Sequence, residues 1–196
     1  MNNDWDKLAL KFNVHREAEE IDPGAADNML IAWPVILDVI SHHFTKNDGA
    51  KTALDYGCGT GGFAQKLGSL GFKATGADSS NGMLETAKQM LRDVDFVATD
   101  KIPPEVRYDL VTGIMVFQFI ENIKEKLKEL VGRLKPGGLF VFAIFNPKFV
   151  TSCLESKVIF SNFDSVEAPK LGTMNFGEGV SVPVYVREAQ EYDAML

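Results

Sequence analysis

Cysteine is scarce: Cys58 and Cys153 are the only two among 196 residues. That is no disulfide framework, and it fits a reducing compartment. Long apolar runs are missing as well; none approaches the roughly 18 residues that suggest a membrane span. The N-terminus, Met1-Asn2-Asn3-Asp4-Trp5-Asp6-Lys7, lacks the basic-then-apolar order of a signal peptide. Positive charge is in the minority, with 20 Lys+Arg against 27 Asp+Glu and a formal charge of −7. That balance argues against a nucleic-acid partner held by phosphate neutralisation, which needs a basic face. It also disfavours an anionic membrane surface. No His/Cys/Asp/Glu cluster has metal-ligand spacing, so no metal is expected. Repeats and low-complexity tracts are absent. What is present is ordinary globular composition, 45% hydrophobic, 24% charged and 10% aromatic, in a length that can bury a core. The expectation is a cytoplasmic single domain over residues 1–196. It divides into an N-terminal helical cap (1–48), a central core (51–145) and a C-terminal segment (146–196).

The first fifty residues read as helical. Trp5, Leu8, Leu10 and Phe12 form a short amphipathic segment, and an apolar stretch from Met29 to Phe44 follows Asp22-Pro23-Gly24. Pro34 divides that stretch or stands at a first helical position. Asn47-Asp48-Gly49 is a turn signal. From Lys51 onward, short apolar runs alternate with helical periodicity. Strands are predicted at Thr52–Leu54, Lys73–Ala77, Asp95–Thr99, Tyr108–Met115 and Leu139–Phe145. The last is so continuously apolar that burial on both faces is expected. Between them, Phe63/Ala64/Leu67/Leu70, Met83/Leu84/Ala87/Met90/Leu91 and Ile123/Leu127/Leu130/Val131/Leu134 mark helices. Pro136-Gly137-Gly138 stops the third. Strand and helix in this order predict an α/β fold with a doubly wound, Rossmann-like, mostly parallel sheet. Between Asp100 and Tyr108 only seven residues make a crossover that ordinarily takes a dozen or more, so a helix-free connection is expected there. Residues Asn146 to Gly179 show no clear period and are not assigned.

In an open parallel sheet, ligands sit outside the carboxyl ends of the strands. Asp55, Gly57, Gly59, Gly61, Asp78 and Asp100 lie at or just past such ends. Gly57-Cys58-Gly59-Thr60-Gly61-Gly62 matches G-x-G-x-x-G, a pattern shared by dinucleotide sites and by glycine turns without ligands. Asp55 discriminates between them. A pyrophosphate held at a helix N-terminus would be repelled by a carboxylate two residues before the first glycine. The same carboxylate suits a ligand with an ammonium and a sulfonium. Asp78 is placed to accept from ribose hydroxyls, and Asp100 from an adenine amino group.

These residues carry a family resemblance. Leu54-Asp55-Tyr56-Gly57-Cys58-Gly59-Thr60-Gly61 resembles the first motif of class I S-adenosylmethionine-dependent methyltransferases. Asp78 is similar to their ribose-binding acid and Thr99-Asp100 to their adenine-contacting motif. Tyr108-Asp109-Leu110-Val111 resembles their fourth-strand motif, and Leu134-Lys135-Pro136-Gly137-Gly138 the turn before their fifth strand. The resemblance runs from about Lys51 to Phe145, and Trp5–Phe44 looks like the helical cap of the branch related to ubiquinone and menaquinone methyltransferases. It implies S-adenosyl-L-methionine as cofactor and a small-molecule methyl acceptor as partner. It also implies a cofactor site of Asp55, Gly57, Cys58, Gly59, Gly61, Asp78, Ser79, Met83, Asp100, Lys101, Ile114 and Met115. Two departures stand out. Where members often place a histidine after the fourth strand, this chain has Gln118-Phe119-Ile120, so no catalytic base is named. Many members also continue into an antiparallel strand pair, which this sequence shows incompletely: Pro183–Arg187 precedes a helical Glu188–Leu196. Either the protein is naturally short or the sequence is part of a longer one.

Several residues have plainer readings. His42 and His43 read as caps near a helix C-terminus. His15 reads as a solvated loop residue, with a base as the sharper alternative. Cys58 belongs to the glycine turn, with nothing nearby to lower its pKa. Asp109, at the start of the fourth strand, is structural. Trp5, Phe12, Trp33 and Phe117 suit either a substrate wall or a core. Pro103-Pro104 precedes the fourth strand, whereas the Pro-Pro of amine-DNA methyltransferases follows it. The reading is methyl transfer to a small molecule. A non-catalytic S-adenosylmethionine-binding module and an NAD(P)-dependent oxidoreductase are the alternatives. If the fifth strand lacks a neighbour, its apolar edge should pair with a second copy, giving a homodimer, or be covered by residues Asn146–Leu196.

Overall fold

A computed structural model describes residues 4–15, 28–44, 51–154, 159–168, 170–177 and 179–196. The expected turns at Asp22-Pro23-Gly24 and Asn47-Asp48-Gly49 lie outside the described residues. The chain divides into two compact units. One comprises residues up to Ile114 together with Leu130–Ala143; the other comprises Met115–Glu129 and Ile144–Leu196.

In the first unit, helix α1 (Asp4–Leu8) precedes a π-helical turn (Asn28–Ala32) and α2 (Trp33–His43), which begins with Pro34 in its first turn. Then come β1 (Lys51–Tyr56), α3 (Gly62–Ser69), β2 (Phe72–Asp78), α4 (Asn81–Met90), β3 (Asp95–Ala98) and β4 (Tyr108–Ile114). A 3-10 turn over Thr99–Lys101 is the only helical element between β3 and β4, so that link is as reduced as its length required. Strand β5 (Leu134–Ala143) completes this unit; helix α5 (Ile123–Val131), which precedes it in the chain, lies mostly in the second unit and buries Ile123, Leu127 and Leu130, one face at i, i+4, i+7 spacing. The sheet has order β3-β2-β1-β4-β5, and every neighbouring pair is parallel.

Register explains the core. Ala74, Ala53, Leu110 and Leu139 are successive partners across four strands. They pack with Ile36 and Ile40 of α2 and Phe63 and Leu67 of α3. Cys58, Ala64, Leu84, Ala87, Leu91 and Phe96 form a second cluster. At the other end of the sheet, Asp109 accepts from the Thr52 amide (2.7 Å), the Thr52 hydroxyl (3.0 Å) and Lys135 Nζ (2.8 Å). Burial would raise its carboxyl, but the Lys135 and Thr52 donors outweigh that and hold it at about 2. Its structural reading fits these bonds.

The fifth strand differs from expectation in two ways. It starts at Leu134, because Tyr108 pairs with Leu134 and Leu110 with Leu139. Lys135–Gly138 therefore bulge opposite Asp109 instead of forming a turn outside the strand. Nor is it buried on both faces: Leu139–Ala143 are half-buried throughout, since β5 ends the sheet.

The second unit contains a 3-10 turn (Phe117–Phe119), α6 (Pro147–Cys153), β6 (Phe160–Ser161), β7 (Leu171–Gly177), β8 (Val180–Tyr185) and α7 (Ala189–Asp193). The strands form an antiparallel sheet of order β6-β7-β8, in part of the stretch the sequence pattern left unassigned. Its core is Val150, Phe160, Val184 and Val186, with Phe119, Phe145, Phe163 and Met174 against it.

Candidate active site

The chain leaves β1 into a loop whose amides turn back on β2. Gly57 N and Cys58 N both donate to the Ala77 carbonyl, at 2.7 and 3.1 Å. Gly59 and Gly61 have φ of 54° and 85°, a left-handed backbone that side chains enter only at a cost. A Cβ on Gly59 would meet nothing within 4 Å, so open space lies over the loop there. A Cβ on Gly61 would strike the Phe96 ring at 2.5 Å. Gly61 then caps α3.

Asp78, the last residue of β2, faces this loop. Its Oδ2 accepts from Gly59 N at 2.8 Å and its Oδ1 from Ser80 N at 2.9 Å. Burial pushes its carboxyl up, the amides of Ser80, Gly59 and Ser79 pull it down, and the nearby Asp6 carboxylate adds to the rise. Asp55 is 2% exposed. It pairs in register with Thr112, whose hydroxyl donates to Asp55 Oδ1 at 2.8 Å. Burial raises the Asp55 carboxyl to about 7, against the lowering effect of Thr112 and with help from the Asp78 charge. The first unit thus brings Asp55, the glycine loop and Asp78 together.

Other expected residues sit differently. The Cys58 side chain packs in the second core cluster. Burial, then the charges of Asp78 and Asp55, push its thiol well up, the reverse of what a nucleophile needs. Only its backbone belongs to the loop surface. Met83 is buried at 4% exposure, and its amide donates to the Ser80 hydroxyl that caps α4. Ser79 is exposed. Asp100 and Lys101 are exposed on the turn after β3, 3.5 Å apart as an ion pair. Ile114 ends β4 and packs against the first core cluster. Met115 begins the second unit and is left-handed at φ 55°.

The N-terminal segment supplies contacts that no motif announced. Asp6 Oδ1 accepts from Ser80 Oγ (2.5 Å) and Gly82 N (2.9 Å). Thr60 Oγ1 donates to the Phe12 carbonyl at 3.1 Å. His15 is half-buried, and its Nε2 donates to the Thr60 carbonyl at 2.8 Å. It is therefore a tether on the glycine loop, where the sequence suggested a solvated loop residue, because the Thr60 carbonyl accepts from its ring. Trp33 packs tilted against Phe63, with ring centroids 5.5 Å apart, and lines a cavity of about 270 Å³ with Val14, His15 and Met29. His42 meets the carbonyl of Asp38 in its own helix at 2.8 Å, in keeping with capping, whereas His43 meets the carbonyl of Gly137 in the β5 bulge at 3.1 Å.

In the second unit, Arg187 donates to the carbonyls of Phe117, Ile120 and Glu121, which fixes the turn that carries Gln118. Gln118 is 2% exposed, and neither atom of its amide has a partner among the described residues. An unsatisfied buried amide costs about 1–3 kcal/mol. Gln118→Met, close in volume, is expected to raise the stability of the ligand-free protein by about that amount in a urea titration. A lower midpoint would mean that the amide is satisfied.

A family model described as a methyltransferase domain matches residues 31–175, more than half the chain. The ubiquinone biosynthesis O-methyltransferase of Rickettsia felis is 30% identical over 118 residues, covering 57% of this chain and 48% of that protein. The malonyl-[acyl-carrier protein] O-methyltransferase of Priestia megaterium is 30% identical over 145 residues, covering 71% and 52%. The chain thus spans about half the length of these curated relatives. Among solved structures, an S-adenosylmethionine-dependent methyltransferase from Mesorhizobium loti superposes with a TM-score of 0.64 at 20% identity, covering 84% of this chain and 77% of that one. At that identity the likeness is one of fold.

Proposed function

The chain belongs to the methyltransferase-domain family, in its class I S-adenosylmethionine-dependent form, and from that premise we propose that it transfers a methyl group from S-adenosylmethionine to a small-molecule acceptor. The observation that carries this reading is the pair of carboxylates at the glycine loop, Asp78 beside the open space over Gly59 and Asp55 buried close by. The side chains and loop suit the cofactor: carboxylates for ribose hydroxyls and an ammonium, and a loop that leaves open space at Gly59 where a ligand needs room. Asp78 would accept from the ribose hydroxyls, Asp100 from the adenine amino group, and Asp55 would offset the ammonium charge. Gly57, Gly59 and Gly61 would supply the close backbone surface, and Ile114 would flank the methionine end. When bound, the cofactor supplies an electrophilic sulfonium methyl. The protein's part is then to orient the acceptor in line and keep water out. The names of the curated relatives favour oxygen as the attacking atom.

Among the described residues no helix is long and apolar enough to cross a membrane, and the scarcity of cysteine supports a cytoplasmic setting. Incubation with S-adenosylmethionine labelled in its methyl group, against panels of phenols and carboxylic acids, tests the activity. Label in an acceptor supports it. Cofactor binding without transfer to either panel would favour a non-catalytic binding module.

Asp55 sets a pH dependence. An acid held at about 7 in the folded protein is protonated below that value and ionised above it. If the ionised form is the one that receives the ammonium, affinity rises with pH. S-adenosylhomocysteine, which keeps the ammonium, is expected to bind about tenfold more weakly at pH 6 than at pH 8. Calorimetric titration across that range checks this, and Asp55→Asn should flatten the profile. The stability linkage has the same origin. Folding retains a proton that the unfolded chain loses from its ordinary 3.8 upward, so Asp55 costs stability progressively between about pH 4 and 7.

A further inference from the structure

We propose that Asp6 is a positioning residue for cofactor binding, holding Asp78 in the orientation that the ribose requires; this rests on the cofactor reading above. Asp6 Oδ1 takes both the Ser80 hydroxyl at 2.5 Å and the Gly82 amide at 2.9 Å. Ser80 is fully buried. Its hydroxyl donates to Asp6 while accepting from Met83 N at 3.1 Å, so its rotamer is fixed from both sides. The backbone amide of the same residue donates to Asp78 Oδ1. Asp6 therefore acts on Asp78 through one intervening residue.

Close packing supports the link. A Cβ on Gly82 would stand 3.0 Å from the Asp6 carbonyl oxygen and 3.1 Å from its Cα, so α1 lies directly on the first turn of α4. The same N-terminal segment reaches the other side of Asp78 as well. Phe12 and His15 hold Thr60, the neighbour of Gly59, whose amide donates to Asp78 Oδ2. Each carboxylate oxygen of Asp78 is thus set by a backbone amide, and the N-terminal segment grips the chain beside both amides. Asp6 also carries a cost, because its charge repels Asp78. The amides at the start of α4 offset part of that repulsion. The useful property of Asp6 in this arrangement is its oxygen, not its charge.

Substitutions separate those two properties. In calorimetric titrations of the full chain with S-adenosylhomocysteine, Asp6→Ala is expected to weaken binding about tenfold. Asp6→Asn keeps an acceptor oxygen and is expected to stay within about twofold of the parent. Ser80→Ala cuts the same link from the other end and should also weaken binding, which serves if Asp6→Ala does not stay folded. Where Asp78 is already alanine, adding Asp6→Ala should change affinity by less than about twofold, since nothing remains to be positioned. Equal losses in both backgrounds would mean that Asp6 merely stabilises the fold, and would overturn the proposal. Unchanged binding in Asp6→Ala, with the parent binding normally, would overturn it alone. A parent that does not bind at all would overturn the cofactor reading and this proposal together.

Discussion

Asp78→Ala is expected to weaken S-adenosylhomocysteine binding about a hundredfold, by titration calorimetry. Hydrogen bonds to a charged acceptor contribute about 1.5–3 kcal/mol each, and a ribose offers two hydroxyls to this carboxylate. Part of that gain is offset by sharing, because the same oxygens already receive Gly59 N and Ser80 N. About 2.7 kcal/mol, a hundredfold, is the balance. Removal of the carboxylate also leaves those amides without their acceptor, which loosens the loop that the ligand must meet. Asp78→Asn should recover only part of the loss. It keeps one acceptor oxygen but sets an amino group against the N–H of either Gly59 or Ser80. Unaltered affinity in the alanine variant would place the ribose elsewhere.

Gly61→Ala is expected to destabilise the protein by about 3 kcal/mol or more, read from urea unfolding. A left-handed backbone costs an alanine about 1–2 kcal/mol. The new methyl would also stand 2.5 Å from Phe96 Cζ and 3.0 Å from Leu91 Cδ1. Phe96 cannot simply yield, because its ring already fills the space beside Gly76, where a Cβ would lie 2.6 Å from it. Overpacking of this kind costs about 1–3 kcal/mol more. Gly59→Ala provides the contrast. Its φ is also positive, but its Cβ would meet nothing, so stability should fall by only the backbone cost of about 1–2 kcal/mol while the added methyl enters the ligand's space. Equal losses of stability in the two variants would contradict this account of the loop.

The parallel sheet was legible because its signals are local. Short apolar runs, the glycine turn, and acids at the ends of β2 and β3 each lie within a few residues, and β1 to β4 stand where the runs do. The Asp55–Thr112 pair also left a trace. Thr112 follows Leu110-Val111 in a buried strand, and a buried hydroxyl needs a partner; register then puts Asp55 opposite it. Asp6 and His15 left none. Their partners are 74 and 45 residues away, and nothing in the composition of α1 distinguishes a tether from a solvated charge. β5 misled for a related reason, since an apolar run does not say whether a strand is central or last. In the C-terminal segment, Val180, Val182 and Val184 are buried and Ser181 and Pro183 exposed, an alternation that marks a half-buried strand. Pro183 obscured it, although an edge strand tolerates proline.

If the loop between β1 and α3 holds S-adenosylmethionine, as proposed, it should not hold a dinucleotide. Parallel calorimetric titrations of the unmodified chain with S-adenosylhomocysteine and with NAD test it most directly. Saturable one-to-one binding of S-adenosylhomocysteine, with no heat from NAD, is the result expected of carboxylates at Asp55 and Asp78. Tight binding of NAD with none of S-adenosylhomocysteine would contradict it.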